Sequence, residues 1–287
     1  MAAASGYRRV ARTVTGTRTV DGAGVRLVRV VGSRDVKDFD PFLMLDAFDS
    51  SDPADYVAGF PWHPHRGIET ITFLLEGEIA HGDSLGNSGS IRSGGCQWMT
   101  AGSGIIHQEM PQSAPRMLGA QLWLNIPSSK KMTDPAYRDI PKETIPVVRE
   151  AGFSVAVVGG SFLGTRGATH GEYVDATMLS VEIEPGASCA IPVSPEDTAF
   201  VYVFEGSLSL ADGGASVPAR TAALLVDGAE CLLRADVASP VRCLFFAGKP
   251  LRESIAWGGP IVMNTEAELD EAFRELDAGT FVKRRAR

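Results

Sequence analysis

Short apolar runs, each closed by Gly, Pro, Asp or Ser, recur from one end of the chain to the other. Those at 25–31, 70–75, 118–126, 155–158, 178–183, 199–204, 222–226 and 241–246 are rich in Val, Ile, Leu, Phe and Thr, residues that suit a pleated, half-buried surface. Their polar members are few, among them Arg26 and Arg29 in the first run and Gln121 and Asn125 in the third. Many short strands at close spacing predict an antiparallel sandwich or barrel rather than alternating β/α units. Residues 7–14 read as an edge strand followed by a turn at Asp21-Gly22. Only one segment has a convincing helical period. Leu269, Phe273 and Leu276 recur at i, i+4 and i+7 behind a capping box of Thr265 and Glu268, with Gly279 as the stop. Residues 133–150 carry Pro135, Pro141, Pro146 and several charges, as a linker would. The expected division is a domain at 1–133, a linker at 134–150 and a second domain at 151–287 that ends in the helix.

Composition narrows the class. The 287 residues are 44% apolar and 22% charged, which excludes general disorder, and no apolar stretch reaches the length of a membrane-spanning helix. A net charge of −8 argues against direct nucleic-acid binding. Cys96, Cys189, Cys231 and Cys243 are far apart and form no Cys-x-x-Cys, so they read as reduced, buried thiols of a cytoplasmic or nuclear protein. Residues 1–20 hold four arginines and no acid, a pattern that also fits an organelle transit peptide. The basic end, Lys283-Arg284-Arg285-Ala286-Arg287, reads as a solvated tail, with a partner contact or nuclear signal as the alternative.

A faint repeat supports two similar domains. Phe73-Leu74-Leu75-Glu76-Gly77-Glu78-Ile79 matches Tyr202-Val203-Phe204-Glu205-Gly206-Ser207-Leu208 at an offset of 129 residues.

The chemistry is concentrated in the first half. His63-Pro64-His65 places two imidazoles on one face of an extended segment, and His107-Gln108-Glu109 places an imidazole and a carboxylate in the same way. Brought together on neighbouring strands, these pairs would make a site of three histidines and one acid for a divalent ion. Glu69 follows the first pair and Glu109 the third histidine, so either acid can complete the set. His81 and His170 have no second histidine two residues away and read as surface or packing residues. The repeat maps His63 onto Pro192, His65 onto Ser194 and Glu69 onto Thr198, so the second domain lacks the imidazoles; stability or partner binding is its expected role. Nitrogen and oxygen ligands without thiolate suit iron(II), manganese, nickel, copper or zinc alike.

The wording of these segments carries a resemblance. His-x-His, an acid, a Gly-rich turn and a third histidine resemble the two cupin motifs. Asp40-Pro41-Phe42-Leu43-Met44-Leu45-Asp46, Gly59-Phe60-Pro61, His63-Pro64-His65-Arg66-Gly67-Ile68-Glu69-Thr70, Gln97-Trp98-Met99-Thr100-Ala101-Gly102, Gly104-Ile105-Ile106-His107-Gln108-Glu109-Met110-Pro111 and Gly258-Gly259-Pro260-Ile261-Val262-Met263-Asn264-Thr265 all look like the pirin family. Glu76 stands where the general cupin motif has Gly, and Gly102 where it commonly has Pro; both departures fit the pirin variant. The resemblance implies an all-β fold of two tandem cupin (jelly-roll) β-barrels with a C-terminal α-helix. It also implies iron(II) in the first barrel only, held by His63, His65, His107 and Glu109, which leaves Glu69 a supporting role.

The resemblance further implies a quercetin 2,3-dioxygenase-type oxidoreductase that cleaves a flavonol with dioxygen. Glu109 is then the candidate catalytic base, and Asp46, Phe60, Met99 and Gln121 are candidates for the pocket wall. A second implication is non-enzymatic: animal pirins are nuclear cofactors of a Rel-type transcription factor, with the iron as a redox switch. A zinc sugar-phosphate isomerase is a weaker third reading, because no phosphate-cradling loop stands out. A monomer is expected, with no membrane partner.

Overall fold

The computed structural model describes residues 6–210 and 216–284. Residues 1–5, part of the transit-peptide reading, and 285–287, most of the basic tail, lie outside the described residues. The chain divides into two compact units, each built from more than one stretch of sequence.

The unit comprising Thr17–Val36, Phe42–Lys142 and Leu251–Arg287 contains the first barrel. Its larger sheet has seven antiparallel strands in the order Ala136–Ile140, Cys96–Thr100, Ile68–Glu76, Met117–Asn125, Phe42–Ser50, Val25–Val31, Thr17–Asp21. The smaller runs Phe60–His65, Ile105–Pro111, Glu78–Asp83, Ser88–Arg92. Apolar side chains of both sheets, among them Leu27, Phe48, Leu74, Ile79 and Ile91, meet in one core cluster. Burial alternates strictly along Ile105–Pro111, so Ile105, His107, Glu109 and Pro111 face inward. The inward face of this strand is therefore half polar, which an ordinary jelly-roll core does not need.

The helix Glu266–Asp277 completes this unit. Thr265 accepts from the Glu268 backbone, and the Glu268 side chain reaches back to Thr265 N, the predicted capping box. Gly279 takes φ +68, the left-handed conformation expected of a helix stop. Leu269 and Ala272 are buried against the Ala256–Gly258 and Ile261–Met263 hairpin, whereas Phe273 is partly exposed. The helix thus turns its small Ala272 inward, where the apolar period alone points to Phe273.

The other unit comprises Met1–Gly16, Lys37–Pro41 and Glu143–Pro250. It repeats the plan: a seven-stranded sheet from Arg9–Val14 through Thr198–Glu205 to Val147–Glu150, and a four-stranded sheet of Ser188–Pro192, Glu230–Ala235, Ser207–Leu210 and Ser216–Pro218. The repeat is genuine, because Gly77 and Gly206 make the same positive-φ turn between corresponding strands.

Three boundaries differ from the sequence expectation. The edge strand is present, but Arg9–Val14 pairs with Thr221–Val226, far along the chain, and Arg8 is buried with its guanidinium on the carbonyls of Ser194, Asp197 and Leu225. The helix belongs to the unit of the first barrel. The expected linker is mostly strand, since Ala136–Ile140 pairs with Cys96–Thr100 and Val147–Glu150 with Phe153–Gly159; the prolines only punctuate it. No helix among the described residues is long and apolar enough to cross a membrane.

Candidate metal centre

Strand register brings the two motifs together. Phe60–His65 and Ile105–Pro111 pair antiparallel with His63 opposite His107 and His65 opposite Ile105. The pairing shifts between His107 and Glu109, with the extra residue in Phe60–His65, while unbroken alternation along Ile105–Pro111 keeps His107 and Glu109 on the buried face. One ligand atom from each of His63, His65 and His107 lies within 4.8 Å of the other two.

Hydrogen bonding fixes how these rings are protonated. His63 Nδ1 lies 2.9 Å from Pro61 O, and His65 Nδ1 lies 3.0 Å from Pro260 O. A carbonyl only accepts, so both Nδ1 atoms carry the proton. In the neutral rings both Nε2 atoms are then bare lone pairs, yet they stand 3.1 Å apart. Burial drives His65 down to about 3, reinforced by His63, and pushes His107 well below the ordinary histidine value, reinforced by its imidazole neighbours. His107 is fully buried and neither ring nitrogen has a hydrogen-bond partner. Lone pairs facing each other at hydrogen-bond distance, and a buried ring with no partner, fit a cation at their centre.

Glu109 is buried at the edge of this cluster, outside the group of mutually close ligand atoms. Its Oε1 accepts from Thr72 Oγ1 at 3.2 Å, from Gln121 Nε2 at 3.0 Å and from Gln97 Nε2. Its Oε2 accepts from Gln121 Nε2 at 2.8 Å. Glu69 is also fully buried, but it faces Thr100, whose Oγ1 donates to Glu69 Oε1 at 2.6 Å.

A cavity of about 690 Å³ opens onto this cluster. Part of its lining is aromatic: Trp123 and Trp257, ring centres 5.7 Å apart, with Phe48 and Phe60. Part is ionic. Arg29 grips Asp46 through Nε to Oδ1 at 2.9 Å and Nη2 to Oδ2 at 2.7 Å, and its Nη2 also meets Asp21 Oδ2 at 2.8 Å. Burial raises the Asp46 pKa, against the lowering by Arg29. At the more open Asp21 the Arg29 and Gly22 hydrogen bonds outweigh burial, and its pKa falls.

Phe60, Asp46 and Gln121 line the cavity as expected, but Met99 does not; it is buried in the apolar cluster with Leu43, Ile105 and Trp123. Arg29 lies in the cavity wall, paired with acids. All four cysteines are free and buried. His170 is exposed.

His81 takes the packing role of the two that were expected, and it lies next to the cluster. It is buried, stacks on Tyr137 at 3.8 Å and 8°, approaches Asp83 at 3.3 Å and lies 5.4 Å, ring centre to ring centre, from His107. The signal in the sequence was His81-Gly82-Asp83, an imidazole and an acid on one strand face.

The pirin family model matches residues 24–124, and that of the pirin C-terminal cupin domain matches residues 178–282. A pirin-like protein of Caulobacter vibrioides is 42% identical over 96% of this chain and 99% of its own. Human pirin is 37% identical over 94% of this chain and 92% of its own. Among solved structures, quercetin 2,3-dioxygenase from Acinetobacter baumannii superposes with a TM-score of 0.87 at 30% identity, covering 96% of this chain and 99% of that one. With both domains matched and near-complete coverage by these relatives, the chain belongs to the pirin family, as a bicupin of two cupin domains.

Proposed function

We propose that the protein is an iron(II)-dependent, oxygen-using enzyme of the quercetin 2,3-dioxygenase type that opens the central ring of a flavonol. The observation that carries the reading is the pair of bare Nε2 atoms of His63 and His65, 3.1 Å apart, beside the partnerless ring of His107. His63, His65, His107 and Glu109 would hold the ion. Bound there, iron(II) supplies the electronic coupling between the substrate and dioxygen that closed-shell organic groups lack.

The remaining chemistry falls to the chain. Trp123, Trp257 and Phe60 give flat apolar walls suited to a fused aromatic substrate and keep water from its ring faces. Oε1 of Glu109 is crowded by three donors, whereas Oε2 has one and keeps a lone pair. Oε2 is therefore the Glu109 atom left for the ion and, once released from it, for the proton of the flavonol hydroxyl, with Gln97, Gln121 and Thr72 holding the carboxylate in place. Arg29, locked by Asp46 and Asp21, gives the cavity a fixed polar surface.

The test is turnover. Protein loaded with iron(II) is mixed with quercetin in air and the flavonol absorbance is followed, with His63→Ala as control. Metal-dependent loss that His63→Ala abolishes is the expected result. No metal-dependent loss in the wild type overturns the enzymatic reading and leaves a metal-binding module whose output is a protein partner.

A further inference from the structure

The three imidazoles are not equally supported. His63 and His65 each hand their outer N–H to a backbone carbonyl, whereas His107 hands its own to nothing. A ligating imidazole needs an acceptor behind it to fix its tautomer and orientation. One other buried imidazole nearby has a nitrogen to spare: His81 Nδ1 is buried without a partner.

The strands set these two orphans side by side. Glu78–Asp83 pairs with Ile105–Pro111 so that Asp83 lies opposite His107 and His81 opposite Glu109. All four residues are buried. Asp83 is anchored by the backbone of Leu85 at 2.9 Å, the backbone of Asn87 at 3.0 Å and Asn87 Nδ2 at 2.9 Å. It acts only as an acceptor there, so the His81 nitrogen beside it, Nε2, carries the proton and Nδ1 is the bare one. Tyr137 fixes the plane of the His81 ring from the other side, and its hydroxyl is itself held by Asp139 Oδ1 at 2.5 Å.

We propose that His81, oriented by Asp83 and Tyr137, is the positioning partner of His107: its bare Nδ1 accepts the outer N–H of His107 when the three-imidazole site is filled. An N–H···N bond of about 3 Å between two imidazoles sets their ring centres about 5.3 Å apart. The centres already stand at 5.4 Å, the spacing such a bond needs, and the planes at 51°, so ring reorientation is what the bond requires. The resulting chain runs Asp83, His81, His107, ion. It rests on the reading that the imidazoles hold a metal, and is independent of which reaction follows.

Metal affinity and ring protonation test it. His81→Phe keeps the stack on Tyr137 and removes the acceptor; His81→Gln restores an acceptor oxygen. Competition with a chelator should show His81→Phe binding zinc(II) or cobalt(II) about 10- to 100-fold more weakly than wild type, with His81→Gln recovering part of the loss. Nitrogen NMR of the wild-type imidazoles, with and without zinc(II), gives the second readout and does not depend on a variant folding. His81 should show a protonated Nε2, and a bare Nδ1 whose shift moves on loading as a hydrogen bond forms. Wild-type affinity in a folded His81→Phe, or a proton on Nδ1 of His81 in the loaded protein, overturns the proposal. A wild type that binds no metal overturns the metal reading as well, whereas one that binds metal without consuming quercetin leaves this inference standing.

Discussion

Gly67 follows the His63-Pro64-His65-Arg66 segment directly, and replacing it with alanine tests how far the backbone of that turn sustains the site. Gly67 has φ +79, and a Cβ built there would lie 2.0 Å from Val262 O, 3.0 Å from Lys131 Cδ and 3.1 Å from Val262 C. Carbon and oxygen must separate by about 1 Å more to reach ordinary contact. The group that has to yield is backbone, and it is tied on both sides. Lys131 Nζ donates to Gly67 O at 2.7 Å and to Val262 O at 2.9 Å, and Val262 N donates to Arg66 O at 3.1 Å. Two residues before Val262, Pro260 O receives His65 Nδ1. The left-handed conformation costs an alanine about 1 kcal/mol. A stretched buried hydrogen bond adds about 1–3 kcal/mol. Together these amount to about 3 kcal/mol, or roughly 10 °C in Tm for a unit of this size. Gly279→Ala is the matched control, because Gly279 has φ +68 with nothing within 4 Å of the added Cβ. It should lose only the conformational part, about 3 °C. Thermal scans of both variants, with a metal competition titration of each, decide the matter. Gly67→Ala should bind metal about tenfold more weakly as Pro260 O leaves His65. Equal melting of the two variants, or full metal affinity in Gly67→Ala, refutes the steric argument.

Gln121→Leu removes both hydrogen bonds of Gln121 to Glu109 and its bond to Thr72, leaving the carboxylate with Gln97 and Thr72 on one oxygen only. Charge-assisted bonds are worth about 1.5–3 kcal/mol, so metal-dependent quercetin loss should fall at least about tenfold, and an unchanged rate removes Gln121 from the machinery. Burial holds Lys131 down to about 7, below its ordinary 10.5, so the folded chain releases that proton more readily than the unfolded one. Its contribution to stability is then largest above pH 10.5 and declines as pH falls toward about 7. Urea midpoints should show the wild type gaining on Lys131→Met between pH 7 and 10.5; a flat difference rejects this assignment.

The sequence was legible where one residue type settles one local decision. Val25–Val31 appears at the predicted positions, and Thr177–Ile183 within one residue, because their β-branched residues suit strands and turn residues close them. The capping box at Thr265 and Glu268 places the helix start for the same reason. What could not be read is which partner an element finds. Alternation fixes a face and is silent on register across some 200 residues, so Arg9–Val14 was visible as a strand without its place beside Thr221–Val226. Cys96–Thr100 is buried on both faces, which erases alternation; Gln97 reaches Glu109 while Met99, of the same parity, joins the apolar cluster. His81 was passed over because its same-face neighbour is Asp83 rather than a second histidine. Its meaning comes only from the next strand.

The two barrels show what the polar interior is for. In the second unit Ser188–Pro192 and Glu230–Ala235 pair as Phe60–His65 and Ile105–Pro111 do in the first. The inward side chains there are Cys189, Ile191, Cys231, Leu233 and Ala235, all within one apolar cluster. The repeat offset set His63 on Pro192 and His65 on Ser194, which are exposed; the buried neighbours are Ile191 and Val193, so the correspondence slips by one residue and still meets no imidazole. The same architecture thus closes on aliphatic side chains and thiols, and nothing in the fold requires His65, His81, Asp83, His107, Glu109 and Gln97 inside the first barrel. Each unpartnered polar group buried there costs about 1–3 kcal/mol. His107 bears that cost at both ring nitrogens and His81 at one. An ion held by the three imidazoles would satisfy one nitrogen of His107, and the bond to His81 would satisfy its other nitrogen and Nδ1 of His81 together. An ion held by these imidazoles would therefore stabilise the first barrel and not the second, because a ligand that binds the folded state shifts its equilibrium.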